Sequence, residues 1–292
     1  MVDYFSPKVL LRRAIARDRA DVLGFTRFIW EGHDYISYVW DDWYMDPHGI
    51  LAVAEYGGHA VGMGKVSRVS RDQWWLEGLR VDPKYQGLKI GTHIHEYLQD
   101  WWQQNAGGTI RLMTSWERVE VHHLCERFGW TKVGEVKSHM APALQEAPRA
   151  LRPVAQRELD AALPFARAHL EHSRGLADLS WVSGAVNEEL LQEECRGERL
   201  LWWQASGSEP AGLVGLWEDE EDGEPILGIA FMACDVVSLH DMLLDVRRLA
   251  GQRGRSAVMW LAPSLPDVEA ALHAAGLESR WDGSAYVYEK RV

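Results

Sequence analysis

Apolar residues in the first half of the chain switch between two rhythms. Val9–Ile15 (VLLRRAI) reads as a strand, and Asp18 then opens a helix with Val22, Leu23, Phe25 and Ile29 on a rough 3.6-residue period. Trp30–Tyr44 is aromatic-rich and predicts a second helix or helix-loop, and Asp46-Pro47-His48-Gly49 predicts a turn. Ile50–Tyr56 and His59–Ser70 flank Gly57-Gly58 as a hairpin, and Gln73–Asp82 alternates as a third strand of that run. Tyr85–Gly91 (YQGLKIG) is a glycine-bearing loop, Thr92–Ala106 a helix, Thr109–Trp116 a strand, Glu117–Phe128 a helix and Trp130–Met140 a strand. The order β-α-α-β-β-β-α-β-α-β predicts a mixed α/β (α+β) domain and excludes a doubly wound parallel sheet.

The second half partly repeats that order. Leu151–Ala155 reads as a strand, Arg157–Leu170 as a helix, and Arg199–Ala205 with Pro210–Asp219 as a hairpin around Ser206–Glu209. Ile226–Cys234, Ser256–Pro263 and Ser284–Val292 read as strands, with helices over Ser238–Gly254 and Leu265–Gly276. Ala141–Arg149, with two prolines, reads as a linker, which predicts domains 1–144 and 145–292.

Composition narrows the function classes. A chain of 292 residues that is 47% hydrophobic and 25% charged has enough apolar material for packed cores. The net charge is -12, which argues against a nucleic-acid or anionic-membrane partner. The charge is uneven: residues 1–144 carry 17 basic and 18 acidic side chains, and the remainder 14 and 25. Three scattered cysteines without a CxxC pair suit a reducing compartment. With no signal-like apolar core near the N-terminus and no apolar run of about 18 residues, a cytoplasmic location is expected.

Chemistry concentrates in Leu76–Ile94, LEGLRVDPKYQGLKIGTHI. A strand leads through a glycine-bearing loop into a helix, whose N-terminal N–H groups and partial positive charge suit a phosphate. Gln86, Gly87, Leu88, Lys89, Ile90, Gly91 and Thr92 form this candidate pyrophosphate cradle. The stretch resembles the acetyl-CoA loop Q/R-x-x-G-x-G/A of the GNAT superfamily of N-acetyltransferases. Gln86 and Gly91 match, and Lys89 stands where the family has its middle glycine. His123–Trp130 (HLCERFGW) resembles the family's closing LYExxGF signature. Glu77–Val81 (EGLRV), Gly32–Tyr35 (GHDY), the following WYMDP and the degenerate second copy resemble the histidine N-acetyltransferase-like proteins.

The resemblance implies two GNAT-like domains, each a mixed, mostly antiparallel sheet flanked by helices, the first catalytic and the second degenerate. Where Ile226–Cys234 leads into its helix, the chain reads ACDVVSLHDM, with no glycine to form a cradle. Acetyl-CoA is the implied co-substrate and a small amine or amino acid the implied acceptor, with direct transfer in a ternary complex. The competing class is a CoA-binding sensor or structural module without turnover.

Each implied role stands beside a plainer one. Glu77 is the general-base candidate, or else an ion-paired strand residue. The backbone of Leu79, Arg80 and Val81 is implied to meet the pantetheine arm, and their side chains also suit a core. Cys125 takes the place of the family's acidic tyrosine, His122 lies one turn earlier, and Cys125 equally fits a buried apolar site. Asp34 and Tyr35 are the acceptor candidates, among aromatics that include Trp30, Trp40, Trp43 and Tyr44. Arg111 is a candidate for a phosphate or carboxylate. Neither His93/His95 nor His122/His123 has a third metal ligand at a readable spacing.

Overall fold

A computed structural model describes residues 9–204, 209–221 and 223–292, without the side chains of Trp30 and Glu31. The tip of the predicted hairpin around Ser206 and the acidic tip at Asp222 lie outside the described residues. Packing divides the chain into two compact units. The first runs to Leu112 and takes in Glu120–Thr131 and Glu289–Val292; the second holds Met113–Val119 and Lys132–Tyr288.

In the first unit, β1 (Leu10–Arg13), α1 (Asp18–Thr26), a 3-10 turn at Ile29–Gly32 and α2 (Ile36–Met45) precede a meander. The meander is β2 (Ile50–Tyr56), β3 (His59–Ser70) and β4 (Gln73–Val81), and the sheet order is β1-β2-β3-β4 with all neighbours antiparallel. Then come α3 (Ile90–Asn105), β5 (Thr109–Ser115), which joins β4 in parallel, and α4 (Val119–Arg127). Strand alternation sorts side chains to two faces. Leu51, Val53, Ala60 and Met63 pack with Val22 and Phe25 of α1 and Ile36 and Trp40 of α2. On the other face α3 lies close to β3, because Gly62 and Gly64 present no side chain to Ile90, Ile94 and Leu98.

The second unit opens with β6 (Thr131–Pro142), β7 (Leu151–Pro153) and α5 (Leu159–His169). A small hairpin follows, β8 (Leu176–Asp178) and β9 (Ser183–Ala185), then α6 (Glu188–Arg196). β10 (Leu200–Trp203), β11 (Gly212–Glu221) and β12 (Glu224–Cys234) form the central meander. α7 (Val236–Gln252), β13 (Ala257–Pro263), α8 (Pro266–Ala274), β14 (Glu278–Ser279) and β15 (Ala285–Arg291) complete the chain. The strand order is β15-β6-β13-β12-β11-β10-β7, with β12 and β13 parallel. Leu201, Trp203, Val214 and Leu216 face a core with residues of α7 and α8, and Leu200, Trp202, Leu213 and Trp217 face one with residues of α5 and α6.

Two features of the second unit were absent from the sequence reading. The β8–β9 hairpin turns through Ser180 and Trp181, at φ 58° and 69°, where a left-handed turn ordinarily signals itself by glycine. Helix α6 is capped by Asn187, whose side chain accepts the Leu190 N–H at 2.9 Å.

The packing division does not fall at 144. Val136–Pro142 of β6 pair residue by residue with Pro263–Ala257 of β13, inside the second unit. Conversely, the Arg111 guanidinium of β5 holds Glu289 at 2.7–2.8 Å, and the Val292 N–H donates to the Gly108 carbonyl, inside the first. A strand pattern specifies which face is buried and leaves the partner strand open, which is why the linker at Ala141–Arg149 suggested a simpler cut. Among the described residues, no helix is long and apolar enough to cross a membrane.

Candidate active site

The loop Gln86–Lys89 is exposed and is anchored by buried Ile90, the first residue of α3. Lys89 caps that helix in the left-handed conformation, φ 56° and ψ 21°. This is the backbone state that glycine adopts without steric cost, so Lys89 keeps the geometry of a glycine position. Gly87 also has a positive φ, 85°. The first N–H groups of α3, from Ile90 onward, have no partner within the helix and point toward the loop. The loop thus has the backbone shape of a glycine-rich turn at the start of a helix, and its side chains are exposed.

The strand feeding the loop parts from its neighbour. β4 pairs with β5 only through Gln73–Trp75 against Thr109–Arg111, so among the described residues no strand lies against that edge of β4 from Leu76 to Val81. Glu77 sits just past the parting. On the β3 side it faces Lys65, and the next matched pair is Met63 with Arg80, so Gly78 and Leu79 together oppose Gly64 in a bulge. Gly78 has φ +65°, and a Cβ there would lie 2.5 Å from the Trp43 ring, so both the turn and the packing demand glycine.

Glu77 is half-buried and accepts a 2.6 Å hydrogen bond from the Ser67 hydroxyl. Burial raises its carboxyl above the ordinary value, and the Ser67 bond and the Lys65 charge oppose that rise. Lys65 is fully buried; its ammonium donates to the Asp46 carboxylate and, at 2.9 Å, to the Val66 carbonyl. Ser67, Lys65 and Asp46 were not singled out in the sequence. The turn at Arg71-Asp72 alone would not have found them, because an irregularity between Arg68 and Ser70 shifts the register by one residue and puts Lys65 opposite Glu77.

Arg80, Asp34 and Tyr35 come together beside this carboxylate. Arg80 Nε donates to Asp34 Oδ2 at 2.8 Å, and Asp34 Oδ1 also accepts the Ile36 N–H at 3.2 Å. The Asp34 charge is therefore already met within the chain, contrary to its expected use as an open anchor for a cationic acceptor. Tyr35 packs edge-on to Trp43 with centroids 5.9 Å apart, and its ring lies 5.5 Å from the Arg80 guanidinium carbon. Burial raises the Tyr35 phenol, Arg80 opposes the rise, and the charges of Glu77 and Asp34 add to it. Trp40 is a core residue, and Tyr44 is exposed.

The closing helix behaves differently. Cys125 is fully buried on α4, and burial pushes its thiol up to about 12. A thiol without solvent-exposed surface has no route to a departing thiolate, so Cys125 is a packing residue rather than an acid. His122, on the same helix, is half-buried. Arg111 is buried between Glu289 and Gln73, which removes it from any phosphate. His95 is buried against Phe128 and Trp130 and pushed down to about 4, whereas His93 is exposed two residues earlier.

Residues 17–130 match the family model described as acetyltransferase (GNAT) family. A comparison with curated protein sequences gives no match. Among solved structures, a GCN5-related N-acetyltransferase from Sphaerobacter thermophilus aligns with TM-score 0.63 at 16% identity, over 97% of this chain and 95% of that one. A glucosamine N-acetyltransferase region of a fungal multi-domain GH3 β-N-acetylglucosaminidase aligns with TM-score 0.67 at 14% identity, over 97% of this chain and 38% of that one. A GCN5-related N-acetyltransferase from Kribbella flavida aligns with TM-score 0.53 at 15% identity, over 97% and 72%. The bulged, parting strand and its left-handed loop thus lie in residues 17–130, the segment that matches the GNAT acetyltransferase family model, within a chain whose fold is similar to that of GCN5-related N-acetyltransferases along nearly its whole length.

Proposed function

We propose that the protein transfers an acetyl group from acetyl-CoA directly to a small amine or amino acid, in a ternary complex at the parting of β4 from β5. The observation that carries this reading is the position of Glu77, just past the last β4–β5 pair and one residue before the Gly78 bulge. Acetyl-CoA supplies an activated thioester. The N–H groups at Gly87–Thr92 would hold its pyrophosphate, and the unpaired edge at Leu79–Val81 would hydrogen-bond its pantetheine amides. One N–H of that edge is also placed to stabilise negative charge developing on the thioester oxygen.

Attack requires a neutral amine, so a base must take a proton as the bond forms. Glu77, whose carboxyl is raised by burial toward the range of a general base, does this through a water. Lys65, buried and paired with half-buried Asp46, stands across from it on β3. Arg80, fixed by Asp34, and Tyr35 form the acceptor wall, with Asp34 positioning Arg80 rather than touching the acceptor. No side chain on α4 is needed as acid, because a thiolate is a competent leaving group.

We also propose that residues 145–292 carry a degenerate second copy of the domain. Its support is the matched order of elements and the second parallel pair, β12 with β13. Assaying thiol release from acetyl-CoA across an amine and amino-acid panel tests the activity. Turnover with at least one amine, lowered about 100-fold in Glu77→Gln, is the expected result; binding of acetyl-CoA with no turnover on any amine would make the protein a CoA sensor.

A further inference from the structure

The turn Asp46-Pro47-His48-Gly49 between α2 and β2 is closed by Asp46, whose Oδ1 accepts the His48 N–H at 2.9 Å. Asp46 Oδ2 accepts from the Lys65 ammonium, which also donates to the Val66 carbonyl at 2.9 Å. Lys65 is fully buried, so a charge that ordinarily sits in water is held inside the sheet. Gly49 makes room for it: a Cβ there would overlap both the ammonium and the Val66 carbonyl. The turn is therefore built around one buried cation.

The strand register places that cation. Leu51, Lys65 and Glu77 form one row across β2, β3 and β4, so their side chains leave the sheet on the same face. The other polar groups around Glu77 are neutral or paired. Ser67 on β3 donates its hydroxyl to Glu77, Arg80 on β4 is paired with Asp34, and Tyr35 carries a phenol that burial raises. Arg13 on β1 donates to the Gly49 carbonyl and acts on Lys65. Among the described residues, the hydrogen bonds of the ammonium go to Asp46 and Val66 rather than to Glu77. Its effect on Glu77 is through space, which favours the charged carboxylate without a bond to the oxygens that take the proton. Burial raises Glu77, Ser67 and then Lys65 lower it, and Asp46 raises it by less than Lys65 lowers it. The ion pair thus acts on Glu77 with its positive end.

We propose that Lys65, fixed by Asp46, is a positioning residue for acetyl transfer, whose ammonium favours the ionised form of Glu77 from the neighbouring strand. The inference rests on the reading of Glu77 as the base.

The acid limb of kcat/KM for the acceptor tests it, compared in Lys65→Met, in Lys65→Met/Asp46→Asn and in Glu77→Gln. Lys65→Met removes the cation and leaves the Asp46 charge, so the limb should move to higher pH. At a fixed pH on the limb, the rate relative to its plateau should fall at least about threefold. The double variant removes both charges and should move the limb the same way by a smaller amount. A role confined to folding predicts the reverse order, because the double variant loses both partners. Should the single variant fail to fold, the double variant against the wild type still decides: a limb moved to higher pH supports the proposal. A limb that stays in place, or that moves at least as far in the double variant as in the single, would overturn it. If Glu77→Gln keeps the limb, the base reading fails and this inference with it. If Glu77→Gln loses the limb while folded Lys65 variants keep it unmoved, only this inference fails.

Discussion

The same strand-to-helix passage occurs twice in this chain with opposite equipment. Between β4 and α3 the chain spends eight residues on a loop with left-handed Gly87 and Lys89. Between β12 and α7 it spends one, Asp235, and the helix begins at once. The sheet geometry next to both passages is alike: a parallel pair that ends after three residues, and a bulge two or three residues on. Parting strands are therefore a property of the architecture, and the left-handed backbone proposed to cradle a pyrophosphate is a property of the loop. An acidic residue at the start of α7 would further repel a phosphate from the second passage.

The largest effect should come from the residues that cross the expected halves. Glu289→Gln leaves the buried Arg111 without its counter-charge and should cost about 3–5 kcal/mol in denaturant unfolding. If the first unit did not depend on residues 289–292, limited proteolysis of that variant would cut both units equally; preferential cleavage within residues 17–130 is expected.

Glu77→Gln should lower kcat about 100-fold with little change in the KM for acetyl-CoA. The wild-type rate should fall as pH drops through the raised value of Glu77, because the protonated carboxyl cannot accept a proton. Loss of that limb in the variant separates a base from a residue that only shapes the strand. Asp235→Asn, at the start of the second passage, should leave the acetyl-CoA affinity as it was.

Lys89 tests the loop itself. Lys89→Val, which resists the left-handed conformation, should raise the KM for acetyl-CoA about tenfold, in line with a cost of roughly 1–2 kcal/mol for a poorly tolerated backbone state. Lys89→Gly should stay within about threefold of wild type, since it loses a charge and gains freedom of φ. The smallest effect is expected at Cys125: Cys125→Ala should retain the full rate, measured by thiol release, because the thiol is buried away from any substrate.

Much of the order of elements was legible in the alternation and period of apolar residues, and the loop before α3 in Gly87 and Gly91. What stayed hidden was pairing. Nothing local to Arg80 or Asp34 says that they meet 46 residues apart, so an ion pair was read as an open anchor. The small hairpin at β8–β9 was hidden for a different reason, since strands of three residues joined by Ser180-Trp181 offer neither period nor turn chemistry. Helix α6 was readable from Asn187 followed by Glu188 and Glu189, a cap with an acidic first turn. Cys125 illustrates the limit of motif matching: it occupies the position of a reactive residue and has the surroundings of a core one.

The bond between Arg111 and Glu289 spans 178 residues of chain. During synthesis at about 5–20 residues per second, Arg111 would wait roughly 10–40 s for its partner to leave the ribosome. The domain that is made first is thus finished last. Until then its sheet lacks the residues that neutralise a buried guanidinium, and the unfinished form is the one most exposed to chaperones and proteases.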